Sequence, residues 1–313
     1  MAFFPDNGAA FVGRGSAIIP PSRLMIASPP QAASVSFSSA SASAGGFLSE
    51  EMIAKLAKND WVEIRDFISP ELVSELRGDV EALRNRDGRF KQAGVGQDAT
   101  NTLNTKIRRA ETCFIYPKQP IADAGQPQSR QKLYDLLDGV GERLSEHSAL
   151  GPNAPKLDAR LHEALYAFYP QGGFYRRHQD AVAGSASVLR AYSFLLYLND
   201  GAWDAEKDKG QLRLHFDSGG DYLPEGEAPS FLDVAPHGGT MVLFRSEKVP
   251  HEVLDTTTER TAVVGWYNRG VSLADVSALS GGGVGGGNTL QVAMLAVAAG
   301  LVTTGLINIV GQL

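Results

Sequence analysis

The apolar positions of the chain change their period about halfway along it. Glu50 to Leu56 has a helical pattern, and Trp61-Val62-Glu63-Ile64 alternates as a strand does. Ser69-Pro70-Glu71-Leu72 reads as a helix start, with Ser69 as N-cap and Pro70 at the first helical position. Leu72, Leu76, Val80 and Leu83 then fall on one helical face as far as about Asn85, and Asp87-Gly88 ends the run. Residues 88–106 are polar with scattered glycine and predict a long loop, a feature that in compact domains is functional or disordered. A further helix is predicted over 129–148, with Leu133, Leu136, Leu137, Val140 and Leu144 as its stripe.

From Arg160 onward the pattern shortens. Residues 164–169, 192–198, 211–216, 239–244 and 261–267 are runs of strand length bounded by turn residues. Helices followed by many short strands predict an α+β fold class: a jelly-roll sandwich with supporting N-terminal helices.

The two ends differ from this middle. Residues 1–46 carry only Asp6, Arg14 and Arg23 as charges, and the stretch from Gln31 to Gly46 is small and polar. Two readings stand: a disordered segment, which buries too little apolar surface to offset ordering, or a plastid-type targeting segment rich in Ser and Ala. Pro5, Pro20 and Pro21 interrupt any secretory apolar core. Residues 47–272 form the expected folded domain and 273–289 a Gly-rich linker. Residues 290–313 hold no charge, and as a helix they would measure about 36 Å against a hydrocarbon core of about 30 Å. This apolar tail helix reads either as a membrane anchor or as a helix packed on the domain or a partner, since Gln291, Asn308 and Gln312 lower its hydrophobicity. Localisation accordingly divides between a plastid-type organelle, membrane association through this tail, and the cytoplasm.

Bulk composition adds little. Apolar content of 43% and charged content of 20% in 313 residues are those of a folded core, and a net charge of −6 gives no nucleic-acid footprint. The single cysteine, Cys113, excludes an intramolecular disulfide and a zinc-finger pattern.

Candidate chemistry changes the picture more. In His178-Gln179-Asp180 an imidazole and a carboxylate sit two residues apart, and on an extended strand such residues share a face. A second imidazole, His251, would complete a two-histidine, one-carboxylate face with open positions, as non-heme Fe(II) requires. Each motif alone is weak, but a jelly roll can close the 71 positions (251 − 180) between Asp180 and His251. Arg260, nine residues after His251, could lie on the next antiparallel strand facing inward, where a planar guanidinium suits a carboxylate. Its alternative is a surface charge beside Glu259. His147, His162, His215 and His237 have no such support, and His215 reads as a packed or hydrogen-bonded residue.

Around these residues lie Phe168-Tyr169-Pro170-Gln171-Gly172-Gly173-Phe174-Tyr175, Leu196-Tyr197-Leu198-Asn199, Gly210-Gln211-Leu212-Arg213-Leu214, Leu243-Phe244-Arg245-Ser246 and Gly265-Trp266-Tyr267. With them the chain resembles the 2-oxoglutarate- and Fe(II)-dependent dioxygenases of the prolyl 4-hydroxylase superfamily, above all the hypoxia-inducible-factor type prolyl hydroxylase domain. The resemblance covers roughly Trp61 to Tyr267. It implies a double-stranded β-helix with His178, Asp180 and His251 as iron ligands, Arg260 and Tyr197 on the distal carboxylate of 2-oxoglutarate, and Tyr169 as a further polar contact. It implies that Arg190 and Trp266 line the mouth. The implied reaction consumes O2 and 2-oxoglutarate, releases succinate and CO2, and hydroxylates a C–H bond, foremost that of a prolyl residue in a protein or peptide, with ascorbate as reductant. A small-molecule hydroxylase on the same scaffold and a catalytically silent, membrane-tethered binding module are the alternatives. Nucleic-acid demethylases of this fold carry two arginines six apart, whereas Arg269 follows Arg260 by nine. Residues 88–106 stand where the family carries a mobile substrate-covering segment, and their sequence departs from the oxygen-sensing group.

Overall fold

Serine side chains start the first two helices. In the computed structural model Ser49 Oγ accepts from the Met52 amide at 3.3 Å and opens α1 (Glu50–Asn59). Ser69 Oγ accepts from the Leu72 amide at 3.3 Å and opens α2 (Pro70–Glu81), with Pro70 in the first turn. Each cap satisfies an amide that the helix cannot. A π-helical turn, Ala82–Arg86, continues α2, and α3 spans Pro127–Glu146. The structure describes residues 48–95, 102–117, 121–146, 150, 154–158, 161, 163–182, 185–216 and 230–270. The readings of residues 1–46, 273–289 and 290–313 lie outside these. Among the described residues no helix is long and apolar enough to cross a membrane.

The strands are β1 (Trp61–Ile64), β2 (Lys91–Gln92), β3 (Arg108–Arg109), β4 (Glu111–Tyr116), β5 (Glu163–Tyr169), β6 (Phe174–His178), β7 (Arg190–Tyr197), β8 (Leu212–His215), β9 (Phe231–Val234), β10 (Met241–Arg245), β11 (His251–Val253) and β12 (Arg260–Asn268). They form a seven-stranded sheet in the order β1-β10-β7-β12-β5-β4-β2 and a five-stranded sheet in the order β3-β6-β11-β8-β9. All pairings are antiparallel, and the fold is the expected α+β jelly roll with helices on one side.

The interior strands of the larger sheet, β5, β7, β10 and β12, are buried on both faces, and residue parity decides which core each side chain joins. On β12, Val263 and Tyr267 join the helices with Leu76, Leu133, Leu137 and Val140. Ala262 and Trp266 instead join Leu212, Leu214 and Val253 between the sheets. Arg260 shares the parity of Ala262 and so belongs to that inner face. Leu72 and Leu136 are half-buried at the rim of the helical layer rather than inside it.

Residues 88–106 are not one long loop. β2 pairs with β4 through Lys91↔Thr112 and Gln92↔Glu111, the Ala93 amide donates to Ala110 O at 2.9 Å, and Val95 bridges Thr102. The polar pattern reflects an exposed edge, where Lys91 and Gln92 both face solvent. Residues 96–101 of the expected covering segment lie outside the described residues.

One buried ion pair ties the helices to the sheet. Arg130 Nη1 meets Asp79 Oδ1 at 2.6 Å, with both side chains almost wholly buried. Arg130 Nη2 donates to Ile121 O and Ala124 O at 3.0 and 2.6 Å. The Tyr166 hydroxyl of β5 donates to Asp79 Oδ2 at 2.8 Å, and the Gln126 amide donates to Asp79 Oδ1. Each charge thus has the extra hydrogen bonds that a buried pair requires.

Candidate active site

Strand pairing sets the two histidines side by side, because β11 joins β6 with His251 directly opposite His178. β6 ends at His178, so Asp180 lies beyond the strand. The shared-face argument from strand alternation is therefore corrected: the turn after β6, held by Ala181 N to Ser246 O at 3.3 Å, brings the carboxylate round. His178 Nε2 lies 3.6 Å from Asp180 Oδ1, and His251 Nε2 lies 3.7 Å from Asp180 Oδ2. Both separations are too long for hydrogen bonds, yet the three candidate ligand atoms fall within 4.8 Å of one another.

Each imidazole is turned by its other nitrogen. His178 Nδ1 is 2.9 Å from Arg176 O, and His251 Nδ1 is 3.1 Å from Val249 O. A carbonyl at Nδ1 requires the proton there, so in a neutral ring the lone pair is on Nε2, which faces Asp180. Rings pack behind them: Tyr175 stacks on His178 at 3.6 Å, and Phe244 meets His251 at 4.6 Å, edge on. Burial, then the neighbouring His251, pushes His178 down to about 3, so it is a neutral imidazole at neutral pH. Burial alone would raise Asp180, but the His251 and His178 imidazoles outweigh it and hold the carboxylate below its usual range. Asp180 Oδ2 is buried with no hydrogen-bond partner. Two lone-pair nitrogens and an anionic oxygen with spare capacity form a donor set that fits a divalent metal and favours ferrous iron over larger, all-oxygen cations.

The opposite wall is cationic. Arg260, at the start of β12, is 0% exposed, which rules out a surface charge beside Glu259. β12 is not the hydrogen-bonded neighbour of β11 but lies in the facing sheet, so Arg260 reaches inward across the sandwich. Its guanidinium sits over Tyr169 of β5 at 4.9 Å and over Tyr197 of β7 at 5.2 Å. Arg260 Nε donates to Gly210 O at 2.9 Å. Its Nη1 and Nη2 and the Tyr197 hydroxyl are buried without a hydrogen-bond partner. Burial pushes the Tyr197 phenol up against the opposing effect of the Arg260 charge, so it is a neutral donor at neutral pH. Leaving a buried donor unmet costs about 1–3 kcal/mol, and several converging ones fit an anionic acceptor with two oxygens.

Arg190 and Trp266 lie beside the turn that carries Asp180. Arg190 stacks on the Trp266 ring at 3.6 Å, pairs with Glu163 at 2.9 Å and donates to Asp180 O at 3.4 Å. Trp266 Nε1 is buried without a partner. His215 pairs with Glu252 at 3.1 Å and is no part of the ligand cluster, as its sequence context implied. Tyr175, Glu163 and Gly210 carry structural roles at the site that single-residue reading did not assign. Tyr175 and Gly210 do fall within runs whose local sequence is distinctive.

Residues 164–268 match the family model described as the 2OG-Fe(II) oxygenase superfamily. With the structural likeness below, this match makes the protein a 2-oxoglutarate-dependent dioxygenase, a class that uses Fe(II) and 2-oxoglutarate. Within that class its likeness runs to prolyl 4-hydroxylases. A Pseudomonas putida prolyl-4-hydroxylase is 29% identical, with a TM-score of 0.53 over 70% of this chain and 97% of that one. A prolyl hydroxylase from Trichoplax adhaerens, solved with a hypoxia-inducible-factor oxygen degradation domain peptide, shares the fold at 23% identity and a TM-score of 0.54 over 70% of this chain and 87% of that one. No curated protein matches the chain.

Proposed function

We propose that this protein hydroxylates a prolyl residue of a protein or peptide, converting 2-oxoglutarate and O2 to succinate and CO2. The observation that carries the reading is the facing of two complete sets: His178, Asp180 and His251 on one wall, and the unmet donors of Arg260 and Tyr197 on the other. The likeness to the Pseudomonas putida prolyl-4-hydroxylase supports the choice of target.

In this reading residues 47–272 are the catalytic domain, and His178, Asp180 and His251 hold Fe(II). When bound, iron supplies oxygen activation and 2-oxoglutarate supplies the electrons released by its decarboxylation. Arg260 grips the distal carboxylate through Nη1 and Nη2, Tyr197 donates to it, and Tyr169 flanks it. That grip orients the 2-oxo end toward the metal wall. Nδ1 contacts to Arg176 O and Val249 O keep both imidazoles aimed, with Nε2 of each toward Asp180. Arg190 and Trp266 border the route by which the target enters. Ascorbate serves as the reductant that restores ferrous iron.

The test uses the full chain with Fe(II), ascorbate, O2 and 2-oxoglutarate, with and without a library of proline-containing peptides. Slow succinate release alone, stimulated by particular peptides that gain one oxygen at proline, is expected. Stimulation by free small molecules, with every peptide inert, would move the target to the small-molecule class. No succinate under any iron condition would point to the silent binding module.

A further inference from the structure

The arginine that faces the metal centre has one nitrogen already committed. Arg260 Nε donates to Gly210 O at 2.9 Å, while Nη1 and Nη2 are buried without partners. A guanidinium can take a carboxylate side-on, through Nε and one Nη, or end-on, through both Nη atoms. The carbonyl at Gly210 removes the first choice.

That carbonyl is itself fixed. Gly210 has φ +70°, a conformation that other L residues rarely adopt, and Lys209 before it has φ +57°. Trp203 Nε1 donates to Lys209 O at 3.1 Å, Gln211 Nε2 to Ala205 O at 2.8 Å, and Thr257 Oγ1 to Lys207 O at 2.6 Å. Lys209 also bridges Thr256. A Cβ on Gly210 would come within 2.9 Å of Thr256 Cβ and 3.2 Å of Arg260 Cδ. The loop from Trp203 to Gly210 is thus a brace that ends on the arginine.

We infer that Gly210 is a positioning residue: its carbonyl holds Arg260 end-on at a set depth, and this depth selects a five-carbon 2-oxo diacid over a longer one. The inference rests on the cosubstrate reading of Arg260 above and adds the device that sets its reach. The rings of Tyr169 and Tyr197 close off sideways movement of the guanidinium, so the brace has only depth and orientation left to fix.

The experiment is anaerobic calorimetric titration of the full chain, first with Fe(II), then separately with 2-oxoglutarate and with 2-oxoadipate, which is one methylene longer. Alongside it, KM for each acid is measured from succinate or glutarate release. The wild type should prefer 2-oxoglutarate strongly. Gly210→Ala should weaken 2-oxoglutarate by about tenfold, the loss of one well-aligned charged hydrogen bond. It should also narrow the preference over 2-oxoadipate, leave Fe(II) affinity in place, and put the loss in KM rather than kcat. Trp203→Phe keeps an aromatic side chain but removes the bond to Lys209 O, and should shift the same ratio in the same direction by a smaller step. It serves as the readout where Gly210→Ala does not fold. An unchanged acid preference in a folded variant, or equal weakening of Fe(II) and both acids, overturns the brace. Arg260→Leu separates the two levels. If it leaves 2-oxoglutarate affinity unchanged, the cosubstrate reading itself fails. If it weakens 2-oxoglutarate while neither brace variant alters the preference, only the role of Gly210 fails.

Discussion

Tyr197 is the simplest side chain on which to test the anion wall. Its hydroxyl is buried with no partner, while its ring packs between the sheets. Tyr197→Phe keeps the packing and removes the donor. KM for 2-oxoglutarate should rise by about ten- to 150-fold, the range for one hydrogen bond to a charged group. Fe(II) affinity measured by titration should stay at the wild-type value. Cys113 offers a second test at this scale. Burial pushes its thiol up to about 11 from a reference of 9.0. The unfolded thiol therefore ionises first as pH rises. The contribution to stability is intact below about pH 9 and falls by up to about 1.4 kcal/mol per unit toward pH 11. Urea midpoints across that window should fall more steeply for the wild type than for Cys113→Ala, and iodoacetamide at pH 8 should label the thiol only after unfolding. Among the residues of the proposed site, His178, Asp180, His251 and Arg260 stand out in the sequence because each carries chemistry in a distinctive run. Gly210 does not, because its proposed role resides in a backbone carbonyl that every residue possesses.

Elements were legible where burial imposed a pattern. β5, β7, β10 and β12 lie in the interior of the larger sheet, are covered on both faces, and read as apolar runs. β8 alternates because only one of its faces is buried. β3 is Arg108-Arg109 and β6 is Phe-Tyr-Arg-Arg-His, so neither shows an apolar face, and β11 is only three residues long. In β4 the outward Phe114, 49% exposed, sits between buried Cys113 and Ile115 and erases the alternation. The candidate ligand His251 thus belongs to a strand that partner strands define rather than its own sequence. The Asp79–Arg130 pair is the element-scale prediction. Arg130→Met leaves the Asp79 charge buried and should cost about 3–5 kcal/mol in urea unfolding. Asp79→Leu combined with Arg130→Met should recover much of that loss, although the Tyr166 hydroxyl then loses its acceptor. A small effect of the single variant would show that the network relaxes around a lone carboxylate.

For the whole molecule, parity assigns the larger sheet two separate tasks. Its outer face joins the helices, and its inner face carries Tyr169, Tyr197 and Arg260 toward the other sheet. The jelly-roll class was legible from helices preceding short strands. The strand order was not, because pairings such as His251↔His178 join segments with no local signal of their neighbourhood. The partition also predicts how damage spreads. Leu137→Ala, in the helical layer, should lower the urea midpoint by the equivalent of about 2–5 kcal/mol yet leave KM for 2-oxoglutarate near the wild-type value.

The candidate metal donors hang from β6, the turn after it and β11, whereas the residues proposed to grip the carboxylate hang from β5, β7 and β12. Among the described residues no backbone ladder joins these two groups, and Leu212, Leu214, Val242 and Val253 belong to the apolar cluster packed between the sheets. These aliphatic side chains therefore act as a spacer gauge. In the proposed reading their bulk sets how far apart the His178–Asp180–His251 wall and the Arg260 wall stand, and so which chain length of acid touches both at once.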